Sequence, residues 1–310
     1  MGSPLGHGFW RIGGVLAIVI VTSVLVFGQA ETGTIAGVVK DTTGALVTDA
    51  QVRVTNVATN AKRTTVTGNA GQYSVPALPP GNYLVNVSKS GFKTYQATIE
   101  VTVGGHSTLD AELAIGISST VVEVVAGTAT VVNTQTQELE QLVDTQQLAQ
   151  LPSLTRNPYD FIALAGNVSS GDSTTPNFGG SQNQNGRGAG FSINGQRESG
   201  TEILLDGVEN VNLFTAQTGT QIPVDSVQEY SVITNNFGAE YGRASGGVIN
   251  LTTKAGSNNW HGSAWEFNRL AAYTANTFDN VAKGIPKGGY TRNMFGAQAG
   301  GPLIKDKLFV

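Results

Sequence analysis

From Gly33 to about Gly116 the chain alternates apolar and polar positions in short segments separated by turn formers. Tyr83, Val85 and Val87 fall on one side of such a segment while Leu84, Asn86 and Ser88 fall on the other. That is the period of a β-strand, whose successive side chains point to opposite faces. Val52 with Val54, and Ile99 with Val101 and Val103, repeat the pattern. Pro79-Pro80-Gly81-Asn82 and Gly68-Asn69-Ala70-Gly71 punctuate it as turns. Roughly seven strands of this kind predict a sandwich of two antiparallel sheets.

The pattern changes beyond Ile115. Thr120-Val121-Val122-Glu123-Val124-Val125-Ala126 is a β-prone, weakly charged run between stretches rich in Gly, Ser and Thr; by composition it is one more strand. From Glu138 to about Gly256 helical and extended patterns mix, which predicts a compact α/β domain. Asp144 is placed to cap a short helix running through Leu151 and stopped by Pro152. Asn157-Pro158 predicts a second helix start, with Gly166 closing it. The polar stretch Ser169 to Gly190 cannot bury a core and reads as a loop. Phe191 to Gly195 and Thr201 to Gly207 read as a pair of strands. Gly246-Gly247 removes side chains where backbone packs closely or turns sharply. Further on, Trp265 and Phe267 alternate with Glu266 and Asn268, as lipid-facing and lumen-facing positions alternate in an outer-membrane strand.

The first thirty residues change the compartment. Arg11 supplies positive charge, Val15 to Phe27 form an apolar run, and Gly28-Gln29-Ala30 offers small residues for cleavage, with the mature chain starting at Glu31. A transmembrane anchor is the competing reading, but a span wants ~20 apolar residues. Charged residues make up 13% of the chain, with 40 glycines, which suits a β-rich protein outside the cytoplasm; the usual charged share is about 25%. A net charge of −4 offers no basic face for nucleic acid. With no cysteine there is no disulfide, thiol nucleophile, thiolate metal site or lipoprotein anchor. His7, His106 and His261 are too scattered for a triad or metal cluster. Gly186-Arg187-Gly188-Ala189-Gly190 follows a polar tract and not a strand, so it is no dinucleotide loop. Neither an enzyme nor a cofactor site is expected.

Two stretches resemble known families. Gly33-Thr34-Ile35-Ala36-Gly37-Val38-Val39-Lys40-Asp41 and the run Gly71 to Tyr83 followed by Gly91-Phe92 resemble carboxypeptidase regulatory-like domains. Asp49 departs from that pattern, where Gly or Pro is usual. The resemblance implies a transthyretin-like sandwich, sometimes grouped with carbohydrate-binding folds. Tyr73, Tyr83, Phe92 and Tyr95 are then either sugar-stacking or core residues. Further on, Leu204-Leu205-Asp206-Gly207-Val208, Glu240-Tyr241-Gly242-Arg243 and Gly246-Gly247-Val248-Ile249-Asn250-Leu251-Thr252-Thr253-Lys254 resemble the plug of TonB-dependent outer-membrane receptors. Leu151-Pro152 with Arg156-Asn157 fits the same plug upstream, and the pattern is closest to the Oar-like branch of that family.

The resemblance implies a mainly β chain: signal peptide 1–30, β-sandwich 31–116, linker 117–137, plug 138–256, and the first strands of an incomplete barrel from 257. It implies energised, plug-gated uptake of a scarce large solute (a siderophore, an oligosaccharide or a peptide) with TonB as periplasmic partner and outer-membrane lipid around the barrel. Thr120, Val121, Val122, Glu123, Val124, Val125 and Ala126 become the TonB-box-like segment, paired to TonB by main-chain β-augmentation. Asp206, Glu240, Arg243 and Lys254 are candidates for ion pairs holding the plug in the lumen, or ordinary solvent-facing charges. A barrel of ~22 strands cannot come from the tail, which has room for about two or three. The chain is therefore expected to be a fragment of a longer gene or a truncated product. The alternative is a barrel-less periplasmic or surface binding protein.

Overall fold

The structure, a computed structural model, describes residues 32–116, 121–124, 137–151, 156–170, 190–239 and 241–310. The first part is a β-sandwich of β1 (Gly33–Asp41), β2 (Gln51–Asn56), β3 (Lys62–Val66), β4 (Gln72–Leu78), β5 (Gly81–Ser88), β6 (Thr94–Val101), β7 (His106–Thr108) and β8 (Ala111–Leu113). A further strand, β9 (Val121–Val124), joins it. One sheet has the order β3-β2-β5-β6-β9; the other centres on β1, between β4 and the β7–β8 segment. Tyr83, Val85 and Val87 face inward with Val52, Val54, Ile99 and Val101, as the alternation required. Each fully buried Val or Leu contributes roughly 1.5–3 kcal/mol relative to exposure, so these rows hold the two sheets together.

The sheets are not both antiparallel as expected. β7 and β8 run parallel to β1. Close approach is what glycine permits here: a Cβ on Gly37 would stand 2.0 Å from the carbonyl oxygen of Leu109. Without side chains there, the β7–β8 segment lies along β1, and Leu109 N–H donates to Ala36 O at 2.8 Å. Asp49, which departs from the Gly or Pro usual there, has φ +51°, a left-handed conformation that Asp tolerates better than most side chains. Tyr73, Tyr83 and Tyr95 are buried in this core, and Phe92 packs against it. Tyr73, Tyr83 and Tyr95 are thus core residues and not sugar-stacking ones, while Phe92 is only partly buried.

The second part holds β10 (Leu139–Val143), helix α1 (Thr145–Gln150), β11 (Val168–Ser170), β12 (Phe191–Ile193), β13 (Thr201–Leu205), β14 (Val208–Glu209), β15 (Val227–Asn235) and β16 (Gly247–Thr253). Five of these strands form one mixed sheet in the order β10-β15-β16-β13-β14. Helix α1 starts as the sequence required. Asp144 accepts from Gln147 N–H at 2.8 Å, and the Gln147 side chain returns to the Asp144 backbone in a capping box. The expected helix after Asn157 is a 3₁₀ helix, Pro158–Leu164, and it ends at Ala165, one residue before Gly166. Pro158, Tyr159, Phe161 and Ile162 are all buried there, a distribution wider than the stripe of an α-helix. The expected pairing of Phe191–Gly195 with Thr201–Gly207 does not occur. Instead β12 pairs with β11, and β13 pairs in parallel with β16. Asn194, at φ +56°, turns the chain away, and its side-chain amide donates to Thr234 O at 2.6 Å.

The last part is a long hairpin of β17 (His261–Leu270) and β18 (Thr291–Gly300), bridged by a segment containing helix α2 (Phe278–Ala282), then a short hairpin of β19 (Pro302–Ile304) and β20 (Leu308–Phe309). His106 and His261 stand on β7 and β17, in different sheets.

Candidate functional site

β15 and β16 are the spine of the second part. Val227, Tyr230, Val232, Ile249 and Leu251 bury against α1, the 3₁₀ helix and β12. Gly247 opens β16, and a Cβ there would meet Ile193 Cδ1 at 2.8 Å and Ile233 O at 2.9 Å. A Cβ on the neighbouring Gly246 would meet Gln196 Cβ at 3.1 Å. The pair of glycines thus serves close packing, as its composition implied. Asn250 is fully buried in β16, and Tyr241 packs with Leu204, Ile233 and Val248 in a small cluster on the other face of the sheet.

Of the charged candidates expected to pair or to face solvent, Arg243 forms an ion pair, while Asp206 and Lys254 bind backbone and hydroxyl groups. Asp206 and Gly207 form the turn between β13 and β14, both with positive φ. Asp206 makes no ion pair among the described residues; its carboxylate accepts from Thr253 N–H at 2.8 Å and from Thr253 Oγ1 at 2.9 Å, fastening the end of β16. Arg243 pairs with Glu209, on β14. Lys254 donates to the carbonyl of Asp225 at 2.7 Å. Gly242 faces open space. Glu240, Thr120, Val125 and Ala126 lie outside the described residues. Short side chains and backbone partners explain the change: a turn Asp satisfies nearby N–H groups before it reaches a distant cation.

Arg156 was not among the candidates, yet it joins two parts of the chain. Its guanidinium lies 2.5 Å from Asp225 Oδ1 and stands 3.9 Å from the centroid of the Phe267 ring on β17. Phe267 is half-buried beneath Arg156, and Trp265 is half-buried beside Gly296, while Glu266 and Asn268 are exposed. An aromatic ring is drawn to a partly desolvated guanidinium, and Arg156 supplies one to Phe267. The signal available in the sequence was the Arg156-Asn157 element itself.

The β-sandwich touches both later parts. Val103 N–H donates to Glu229 Oε1 at 2.6 Å, in a buried contact. Burial is the main force pushing the Glu229 carboxyl up to about 7; Val103's hydrogen bond opposes it, while Glu100, Glu140 and Asp144 add to it. At the other contact, Asn60 Nδ2 and Asn258 Nδ2 each donate to Asp306 Oδ1 at 2.8 Å. Asn258 N–H also donates to Ala58 O at 2.9 Å. The turn between β2 and β3 is thereby tied to the turn between β19 and β20. Glu229 pairs with Thr252 near the end of β16.

At the start of β16, roughly 17 Å away by strand rise, lies an open cleft of about 720 Å³. Arg197, Glu198, Leu213, Phe214 and Arg243 line it. Phe214 is 81% exposed, held in place by Asn212, which caps the Phe214 and Thr215 N–H groups. The cleft and the β-sandwich contact stand at opposite ends of one sheet.

Residues 34–114 match the carboxypeptidase regulatory-like domain, 125–248 the TonB-dependent receptor plug domain, and 252–310 an outer membrane beta barrel domain. The TonB-dependent transporter Oar of Myxococcus xanthus is 30% identical over 306 residues. That alignment covers 94% of this chain and 27% of the relative, so the chain spans about a quarter of the curated protein it matches. Among solved structures, the siderophore receptor PirA from Acinetobacter baumannii is 24% identical with a TM-score of 0.39, over 55% of this chain and 23% of that one. A catechol 1,2-dioxygenase from Acinetobacter sp. ADP1 is 13% identical with a TM-score of 0.27, over 32% of this chain and 60% of that one. At such TM-scores neither likeness bears on function.

Proposed function

We propose that this chain, which belongs to the TonB-dependent outer-membrane receptors, forms the gating end of an energised importer. The observation that carries this reading is the seat of the plug against the first barrel hairpin, through Arg156, Asp225 and Phe267. The cation–π contact contributes about 0.5–2 kcal/mol, and the ion pair beside it is part-buried, its side chains 15% and 21% exposed. Contacts of that size keep a plug in place and still allow a modest pull to shift it. The described contacts of Asp206 and Lys254 are polar as well, which suits a domain lodged in a wet lumen.

In this reading Thr120–Ala126 is the segment that TonB engages, and residues 1–30 direct export. The cleft beside Phe214 faces the solute. It offers an exposed aromatic ring beside Arg197 and Arg243, groups that suit an anionic or aromatic portion of a siderophore, an oligosaccharide or a peptide.

The test is capture of the chain by the periplasmic C-terminal domain of TonB. Binding is expected, and it is expected to vanish when Thr120–Ala126 is deleted. Capture that survives the deletion would overturn the assignment of that segment.

A further inference from the structure

Four residues of the TonB-box-like segment are ordered on the β-sandwich. β9 pairs in parallel with β6, in the register Thr94–Val121, Tyr95–Val122, Gln96–Glu123 and Ala97–Val124. β9 is the last strand of its sheet, and among the described residues no strand pairs with its outer flank. A strand's backbone N–H and C=O groups point alternately to its two sides, so pairing with β6 uses one set and leaves the other unpaired.

The two edges of this sheet are built differently. The far edge, β3, reads Lys62-Arg63-Thr64-Thr65-Val66. Two adjacent cations on an edge strand discourage a further strand from adding to it. β9 reads Val121-Val122-Glu123-Val124, with no Lys, Arg, Pro or Gly. One edge is guarded, the other carries no further strand among the described residues, and that second edge is the segment assigned to TonB.

We propose that the regulatory-like domain presents the TonB-box-like segment as its own edge strand, and that TonB adds a strand to the outer flank of β9 without displacing it from β6. The complex is then one continuous sheet running from β3 through β9 into TonB. This inference rests on the assignment of Thr120–Ala126 as the TonB segment. It gives the sandwich a task beyond spacing. Ordering a free segment costs backbone entropy, and four residues already held on β6 meet TonB with that cost removed.

The absence of cysteine in the chain makes the test clean. Gln96→Cys and Glu123→Cys stand in register across β6 and β9, within reach of a disulfide. Oxidation of the doubly substituted full chain is expected to cross-link it in high yield. The oxidised chain is expected to bind the TonB C-terminal domain as well as the reduced chain, within about twofold. Failure to cross-link overturns the pairing. Cross-linking that abolishes capture overturns presentation, because TonB would then require release of β9. If the unsubstituted chain does not bind TonB at all, the underlying assignment fails, whatever the cross-link yield.

Hydrogen exchange on the unsubstituted chain gives a second readout. Adding TonB is expected to slow exchange at Val121–Val124 and leave Thr94–Ala97 protected. Faster exchange at Thr94–Ala97 on TonB binding would overturn the proposal.

Discussion

The guanidinium of Arg156 lies over the ring of Phe267 at 3.9 Å while bonding Asp225 Oδ1 at 2.5 Å. One side chain therefore couples the plug to the first barrel strand. Arg156→Ala is expected to lower stability by about 1–3 kcal/mol, since it removes a stacked cation and strips Asp225 of its half-buried partner. Phe267→Ala should cost less and Phe267→Trp should keep the contact. Thermal unfolding of the three variants measures the order; equal midpoints for all three would show that the stack contributes nothing.

The contact between Val103 and Glu229 should respond to pH. In the folded chain the Glu229 carboxyl titrates near 7, whereas an exposed glutamate titrates near 4.3. The folded state thus binds the proton more tightly, so stability rises as pH falls from about 7 toward 4.5 and is lowest above 7. Docking of the sandwich on the plug should tighten over that window. Glu229→Gln is expected to flatten the dependence, and melting curves at pH 5 and pH 8 would reveal it. An unchanged pH profile in the variant would remove Glu229 as the titrating group.

Gly247→Ala tests the close packing at the start of β16. The added Cβ would press on Ile193 Cδ1 and the carbonyl of Ile233, and overpacking of this kind costs about 1–3 kcal/mol. Ile193→Val in the same chain should recover part of the loss, because one contact ends on a side chain. Denaturant titration reads both; a neutral Gly247→Ala would mean that β12 yields freely.

Asp306→Ala removes the acceptor shared by Asn60 and Asn258. These groups are exposed, so the change in global stability should be small. What should change is the tether: limited proteolysis is expected to free the sandwich from the rest of the chain more quickly. Unaltered cleavage would show that Ala58 and Glu229 suffice to hold it.

The sequence by itself determined what depends on local pattern. Alternation put Tyr83, Val85 and Val87 in the core, Asp144 marked the helix cap, and Gly246-Gly247 announced close packing or a sharp turn before any neighbour was known. Order and spacing of the plug motifs carried the family. What tertiary structure alone decided were the partners. β12 left β13 for β11, and β7 and β8 ran parallel to β1, because strand pairing depends on which backbones can approach, as at Gly37. Arg243 found Glu209, and Arg156 found Phe267, 111 residues further on. The face that the first barrel strand turns toward the plug was open for the same reason: a period of two defines two faces, and only the neighbour decides which of them is covered.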